Sequence, residues 1–261
     1  MGLFLHEMKR DRLSLLIWTL AISFMLVVSI VIYPEMATQV DEINHMFSDM
    51  GAFTEAFGMD SINFGEFMGY FAVECGNVLG LGGAFYAAIS GITKLSGEEK
   101  NRTVEFLLSH PISRRRVVFT KLVSLAANLV ILNAAVAACV TGGVLMIGES
   151  ADAGKMALIF FSYFLMQVEI ALITFAISAF ISRGGIGIGI GIAFFMYFMS
   201  LVTNLIDSLE FLRYLTPFGF TDAARIIESN SLEWKYVASG AVFTCVSTAL
   251  AFVKYERKDI A

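Results

Sequence analysis

The stretch that decides the fold class is residues 13–34, LSLLIWTLAISFMLVVSIVIYP, which contains no charged side chain. A bilayer core of ~30 Å requires about 20 apolar residues in a helix, so this stretch predicts a membrane-spanning helix. Backbone groups have no hydrogen-bond partner in lipid, so only helices or closed barrels can span it, and the alternating pattern of barrel strands is absent. We therefore predict an all-α integral membrane protein.

Five further apolar runs have a similar length, and two of them contain a single carboxylate, Glu74 or Glu169. The six predicted spans are residues 13–34, 67–93, 122–148, 156–182, 184–206 and 236–253. The composition agrees, because only 16% of the residues are charged, against about 25% in an average soluble protein. The polar stretches are too short for a core of their own, so we predict one transmembrane domain over residues 1–261.

The positions of lysine and arginine predict the orientation, because short cytoplasmic loops carry an excess of both. With a cytoplasmic N-terminus, the inside segments are 1–12, 94–121, 183 and 254–261. These segments hold fourteen of the 18 basic residues. Both termini and the long loop are therefore predicted to be cytoplasmic, and residues 35–66 and 207–235 to be outside. The net charge of −5 gives no indication of nucleic-acid binding.

The largest inside segment, residues 94–121, contains a second helical pattern, SGEEKNRTVEFLLSHP. We predict a short separate helix with Ser96 as its N-cap and Pro111 at its end. Val104, Leu107 and Leu108 follow the i, i+3, i+4 rule and would share one face. Two interpretations remain open: a helix that lies on the membrane, or a helix presented to a cytoplasmic partner.

Four basic residues follow this helix and are predicted to anchor the next span at the lipid headgroups. They are Arg114, Arg115, Arg116 and Lys121.

The loop resembles the first cytoplasmic loop of permeases of type-2 ABC exporters, the bacterial half-size six-helix kind. The family pattern is Thr-x-Glu-x-Leu-Leu-Ser-x-Pro-(Val/Ile)-Ser-Arg, followed by a lysine that enters the third span. The matching residues are Thr103, Glu105, Leu107, Leu108, Ser109, Pro111, Ile112, Ser113, Arg114 and Lys121. The glycine usual before the threonine is Arg102 here. Residues 7–36 and 212–226 are loosely similar to the family's entry helix and to its segment between the fifth and sixth spans.

The resemblance implies a coupling helix that docks on a separate ABC ATPase subunit. The implied contacts are Glu98, Glu99, Glu105, Phe106, Leu107, Leu108, Ser109 and Pro111. It also implies that two permeases pair, that Mg-ATP binds to the partner subunit, and that the chain lies in a bacterial plasma membrane. Its substrate class stays open.

No enzyme motif is present in the chain itself. A phosphate-binding G-x-x-x-x-G-K-[ST] is absent, and no arrangement of nucleophile and base stands out. The three histidines and three cysteines are scattered, so we predict no metal site. We expect a transport subunit that catalyses no reaction itself.

A glycine-rich stretch near the start of the fifth span contains two small-xxx-small pairs, Gly185 with Gly189 and Gly187 with Gly191. Such pairs let helices approach closely in lipid. Packing within one molecule and a homodimer seam are both open from the residues, and the resemblance favours the dimer.

Three polar residues inside the spans are candidates for a translocation path. A carboxylate at the depth of Glu169 costs at least ~2.5 kcal/mol, so we expect it to face protein or water. It could relay protons or form a buried hydrogen bond, for instance to Asn128 or Asn133. Glu74 and Asn77 are three residues apart, so they should share one face near the outer end of the second span. This position predicts that they line an outer vestibule of the translocation path.

The outer segments contain two amphipathic patterns. Apolar residues from Val40 to Phe57 recur at spacings of three and four, which predicts an interfacial helix over part of residues 35–66. In the segment of residues 207–235, Thr221 or Asp222 is expected to cap a short helix with Ile226 and Ile227 inward.

Two other functions compete with the permease hypothesis. One is a secondary transporter in which Glu169 carries protons and no ATPase is needed. The other is a membrane anchor that recruits a soluble enzyme through residues 94–121 and transports nothing.

Overall fold

The computed structural model describes residues 2–40, 51–56, 63, 65–100, 113–182 and 185–258, without the side chains of residues 53, 98–100 and 207. Its α-helices are α1 (Gly2–Ala37), α2 (Ala52–Ala56), α3 (Phe67–Glu74), α4 (Gly82–Lys100), α5 (Arg114–Ile147), α6 (Ala153–Ser178), α7 (Ile186–Leu205), α8 (Ala223–Ser229) and α9 (Trp234–Glu256). A π-helical segment, Cys75–Leu81, joins α3 to α4, and a 3-10 segment, Asp207–Tyr214, follows α7. These ranges contain no strand.

Six helices in the described ranges are long and apolar enough to cross a membrane, which confirms the predicted number of spans. They are Gly2–Ala37, Phe67–Gly97, Arg114–Ile147, Ala153–Ser178, Ile186–Leu205 and Trp234–Glu256. The second span is therefore continuous through α3, the π-helical segment and α4. The chain is a multi-pass membrane protein of the all-α class.

The second span lies at the centre of the bundle. It packs most extensively against α6, while α1 packs on α5, α9 on α6, and α7 on α4. Glycines allow the central contact, because a Cβ at Gly91 of α4 would overlap the backbone carbonyl of Ala171 in α6. The peripheral helices α1 and α7 instead expose large apolar side chains such as Leu13, Leu20 and Phe194. Lipid tails can cover such a face without cost.

The prediction that a separate helix begins at Ser96 is wrong. α4 runs without a break from Gly82 to Lys100, so Ser96 lies inside it. The Ser96 hydroxyl donates to the carbonyl oxygen of Ile92 at 2.6 Å, and the side chain is buried. A serine that bonds the preceding turn is compatible with a helix interior, and sequence alone does not distinguish it from a cap.

The two predictions for the outer segments have different outcomes. The helix proposed between Val40 and Phe57 falls mostly outside the described residues. α8 confirms the other prediction, because Asp222 caps it by accepting from the backbone N–H of Arg225 at 3.2 Å. Ile226 of this helix is buried, whereas Ile227 is only partly buried.

Candidate coupling site at one end of the helix bundle

A buried carboxylate organises the end of the bundle at which α4 ends and α5 begins, here called the loop end. Glu7 of α1 has no exposed surface. Lys121 donates from Nζ to Glu7 Oε1 at 2.9 Å, and Lys94 donates to Glu7 Oε2 at 3.4 Å. One side chain of the first helix therefore binds a lysine from α4 and a lysine from α5.

A second carboxylate of α1, Asp11, also binds Lys94. Lys94 forms an ion pair with Asp11 and also donates to Ser124 Oγ at 2.9 Å. Lys121 donates in addition to the backbone carbonyl of Lys94 at 3.0 Å. Arg10, which is partly exposed, pairs with both acids as well, at 2.6 Å from Glu7 and 3.2 Å from Asp11. Two buried lysines and one arginine thus share two carboxylates. We call Glu7, Asp11, Lys94 and Lys121 the Glu7 cluster.

Helical periodicity explains how the sequence assembles this cluster. Glu7 and Asp11 are four residues apart on α1 and therefore share one face. On α5, Lys121, Ser124 and Asn128 are spaced by three and four residues, and Asn128 Nδ2 donates to Asp11 Oδ2 at 3.0 Å. Buried charges are tolerated when they are paired and hydrogen-bonded. The contact of α1 with α5 satisfies that condition.

The Glu7 cluster lies at both ends of the predicted coupling loop. Lys94, on α4, is the first residue of the predicted loop of residues 94–121, and Lys121, about two turns into α5, is the last. Both bind the same carboxylate on α1. The two helices that enter and leave the loop are therefore fixed to each other and to the first helix.

The predicted ATPase contacts lie next to this cluster or outside the described residues. Glu98 and Glu99 belong to the last turn of α4, where only the backbone is described. Residues 105–109 and Pro111 fall outside the described ranges. Their role in docking stays a prediction.

The headgroup-anchor prediction is wrong for Lys121. Its side chain has no exposed surface and its ammonium group is ion-paired inside the protein, because its position on α5 faces α1. In the sequence, a lysine at the start of a span has the pattern of a headgroup anchor. Its buried partner, Glu7, is more than a hundred residues away in the chain, so the sequence pattern does not show the pairing.

The three arginines lie in the first turn of α5, which Ser113 caps by accepting from the N–H of Arg116 at 3.4 Å. Arg114 donates to the backbone carbonyls of Glu256 at 3.1 Å and Lys258 at 2.6 Å, and so connects α5 to the end of α9. Arg115 pairs with Glu256 and is largely exposed. Arg116 is exposed as well. Headgroup contact remains the prediction for these arginines.

Glu169 lies in the interior between α6 and α9 and is only 4% exposed. A Cβ at Gly240 of α9 would overlap Glu169 Oε2, so the carboxyl group occupies space that a glycine leaves open. The suggested hydrogen bond to Asn128 or Asn133 is wrong. Asn133 donates to Gln167 Oε1 at 2.7 Å, and Asn128 bonds Asp11.

Glu74 and Asn77 make contacts in different directions. Glu74 accepts a hydrogen bond from Ser29 Oγ of α1 at 2.8 Å. Asn77 is exposed and lines a cavity beside α6 and α7. The π-helical segment begins between the two residues, at Cys75, so the α-helical spacing assumed from the sequence does not hold there.

The two glycine pairs of α7 face different surroundings. A Cβ at Gly189 would lie 2.9 Å from Ile92 Cγ2 and 3.0 Å from the Ala88 carbonyl oxygen, so this position packs on α4. Gly185 also faces Ile92. At Gly187 and Gly191 a Cβ would meet nothing within 4 Å. Gly185 and Gly189 therefore serve packing within the chain, whereas the role of Gly187 and Gly191 in a homodimer seam stays a prediction.

The Glu7 cluster was not predicted from the sequence, because the presence of each charged member can be explained by its position alone. Glu7, Asp11 and Lys94 are charged residues next to spans, where charge is expected. The available signal was two acids with helical spacing in an inside flank rich in basic residues. Among the described residues, no group of histidine, cysteine, aspartate or glutamate could hold a metal ion.

The fold and this site define a polytopic membrane protein whose loop end is organised by buried ion pairs. The model of the family described as "ABC-2 family transporter protein" matches residues 1–260. The chain belongs to this family, which confirms the resemblance to type-2 ABC permeases. A comparison with curated proteins returned no match.

Proposed function

We propose that the chain is the membrane-spanning permease subunit of an ATP-driven ABC exporter. Membership of the ABC-2 family indicates a transport subunit. In this proposal the loop of residues 94–121 faces the cytoplasm and docks on a separate ATPase subunit. Mg-ATP binds to that partner, and this chain supplies the path through a bacterial plasma membrane.

The observation that carries the proposal is the position of the Glu7 cluster. A loop that transmits force must be connected to helices that move together, because a flexible connection would absorb the displacement. Lys94 and Lys121 fix the two loop-flanking helices to Glu7. A displacement of the loop would therefore move α1, α4 and α5 as one unit.

The position of α4 extends this connection into the bundle. α4 packs extensively on α6 and also contacts α7. The backbone of Gly91 in α4 lies so close to the carbonyl of Ala171 in α6 that the two helices are tightly packed and would be displaced together. Nucleotide-driven closure of two ATPase subunits would push on residues 98–111 and be transmitted to the central helices.

The open face of α7 supports pairing of two permeases. A Cβ added at Gly187 or Gly191 would have no neighbour within 4 Å, and Phe194 and Phe198 on the same helix are exposed. Small residues next to large apolar ones favour close helix association in lipid. We propose that this face forms the seam of a homodimer or of a pair with a related permease.

The test is reconstitution with candidate P-loop ATPase subunits from the same organism. We expect the two proteins to co-purify, and we expect ATP hydrolysis to be stimulated by a transported compound in proteoliposomes. A catalytically dead ATPase variant is the matched control and should abolish transport. Transport that continues with the dead ATPase would indicate a secondary transporter. Stable assembly without any transport across a broad cargo panel would indicate an anchor.

A further inference from the structure

A cavity of about 100 Å³ lies toward the end of the bundle opposite the loop end. The topology places it there, because its lining comes from the first part of the second span, the early turns of α6 and the last turns of α7. Polar lining residues include Asn77, Tyr163, Ser200, Asn204, Arg213 and Asp222. The proposed coupling function uses none of them.

Arg213 is the unusual member of this lining. Its side chain is 7% exposed. Nη2 donates to Asn204 Oδ1 at 2.9 Å, whereas Nη1 is buried and has no partner among the residues the structure describes. A buried guanidinium normally has its N–H groups bonded, since an unpaired buried donor costs about 1–3 kcal/mol. The site therefore has unused capacity to bind an acceptor.

The neighbouring carboxylate compensates the charge of Arg213 only in part. Asp222 Oδ2 lies 3.6 Å from Arg213 Nη2 and 3.1 Å from Nε of Arg225. Asp222 also uses Oδ1 to cap α8. One acid is thus shared by two arginines and a helix terminus. Arg225 has a second acid, Glu233, at 3.5 Å.

The cavity has room for a ligand because small residues form much of its wall. They are Ala56, Ala72, Gly76, Gly219, Ala223 and Ala224. A single water needs about 10–15 Å³ of such space, so the cavity can hold a group of several non-hydrogen atoms. Tyr197 and Asn77 also line the cavity and carry hydrogen-bond donors, which suit an acceptor with more than one oxygen. The Tyr163 hydroxyl already donates to the Thr221 carbonyl at 3.4 Å.

We propose that this cavity is a binding site for a small oxyanion, a carboxylate or phosphate group, with Arg213 as the charged donor. Arginine is suited to both groups, because its planar fork presents N–H donors to two oxygens at once. The oxyanion is supplied either by a free solute or by the headgroup of an anionic lipid. The side of the membrane from which the oxyanion enters rests on the orientation in the proposed function. Binding of the oxyanion does not depend on that orientation.

The experiment uses the full-length permease purified in neutral detergent without an ATPase. Binding of inorganic phosphate and of acetate is titrated by NMR line broadening, and retention of phosphatidylglycerol is compared with that of phosphatidylcholine by native mass spectrometry. We expect at least one oxyanion probe to bind saturably. We expect Arg213→Gln to weaken that binding by about tenfold or more, the equivalent of one charge-assisted hydrogen bond. Arg257→Gln, which removes an exposed arginine just after α9 at the loop end, is the matched control and should leave binding unchanged.

A second variant tests the same site without removing the charge. Ala224→Leu fills the cavity and keeps Arg213, so it should abolish binding of the oxyanion. This variant still tests the proposal if Arg213→Gln does not fold. Binding of the free anions identifies a solute, and retention of phosphatidylglycerol alone identifies a lipid headgroup. The proposal is overturned if no probe binds saturably, or if binding survives Ala224→Leu. Neither result bears on ATPase coupling.

Discussion

Glu7 and Lys121 form an ion pair of 2.9 Å between two side chains that have no exposed surface. The pair joins α1 to α5, the helix that follows the predicted coupling loop. The removal of one partner of a buried pair leaves an uncompensated charge and is more destabilising than the loss of an exposed pair. Glu7 should therefore contribute more to stability than any carboxylate at the surface of the bundle.

Glu7→Gln should lower the free energy of unfolding by about 3–5 kcal/mol, because Lys94 and Lys121 would then be buried with too little negative charge. Thermal unfolding of the purified permease in detergent measures the change. The double variant Glu7→Gln, Lys121→Met removes one charge of each sign and should recover much of the loss. Glu256→Gln, which breaks the exposed pair with Arg115, is the control and should have little effect. Equal melting temperatures for all four proteins would show that the cluster contributes no stability.

Leu107→Arg combined with Leu108→Arg should abolish ATP-driven transport while the permease stays folded. The two leucines are predicted to form the apolar face of the coupling helix, and a desolvated arginine there would prevent docking on the ATPase. Co-purification with the ATPase and transport in proteoliposomes are the measurements.

The control for this variant is Ser150→Arg combined with Ser231→Arg, in the turns that follow α5 and α8. Both side chains are exposed and lie outside the spans, so the substitution adds the same charge without touching the loop. This control should retain the ATPase. Transport that persists in the loop variant would show that residues 105–111 are not the docking contact.

Glu169→Gln should retain ATP-driven transport, because the amide has nearly the same shape and fits the space left by Gly240. Transport rates with the ATPase, and proton uptake without it, are compared with those of the unmodified chain. Gly240→Leu serves as the packing control and should destabilise the α6–α9 contact by about 1–3 kcal/mol through overpacking. Loss of transport in Glu169→Gln together with loss of proton uptake would instead support the secondary-transporter hypothesis.

Gly191→Leu and Gly189→Leu should have different effects although the residues are two positions apart on α7. A side chain at residue 191 enters open space, so the permease should keep its melting temperature but lose its dimer. A side chain at residue 189 collides with Ile92 and the Ala88 carbonyl, so the fold itself should be destabilised. Cross-linking in membranes and thermal unfolding separate the two effects. A dimer that tolerates leucine at residue 191 would place the seam on another helix.

Much of the architecture followed from local sequence. Each span required only an uncharged run of about the right length, because a bilayer imposes the same demand on every helix. The cap at Asp222 was likewise predictable, since a cap depends on residues within one turn. Ser96 shows the limit of such local reasoning, because a hydroxyl that caps a helix and one that bonds the preceding turn have the same sequence surroundings.

The sequence by itself determined that the chain is an all-α membrane protein of six spans, and its loop motif indicated the family. Only the tertiary structure decided which charges are buried together. Glu7, Lys94 and Lys121 are far apart in the chain, and their pairing depends on how α1, α4 and α5 pack. The same holds for Arg213 and for the glycines of α7, since a hydrophobic pattern fixes which segments cross the membrane but not which face of each helix meets a neighbour.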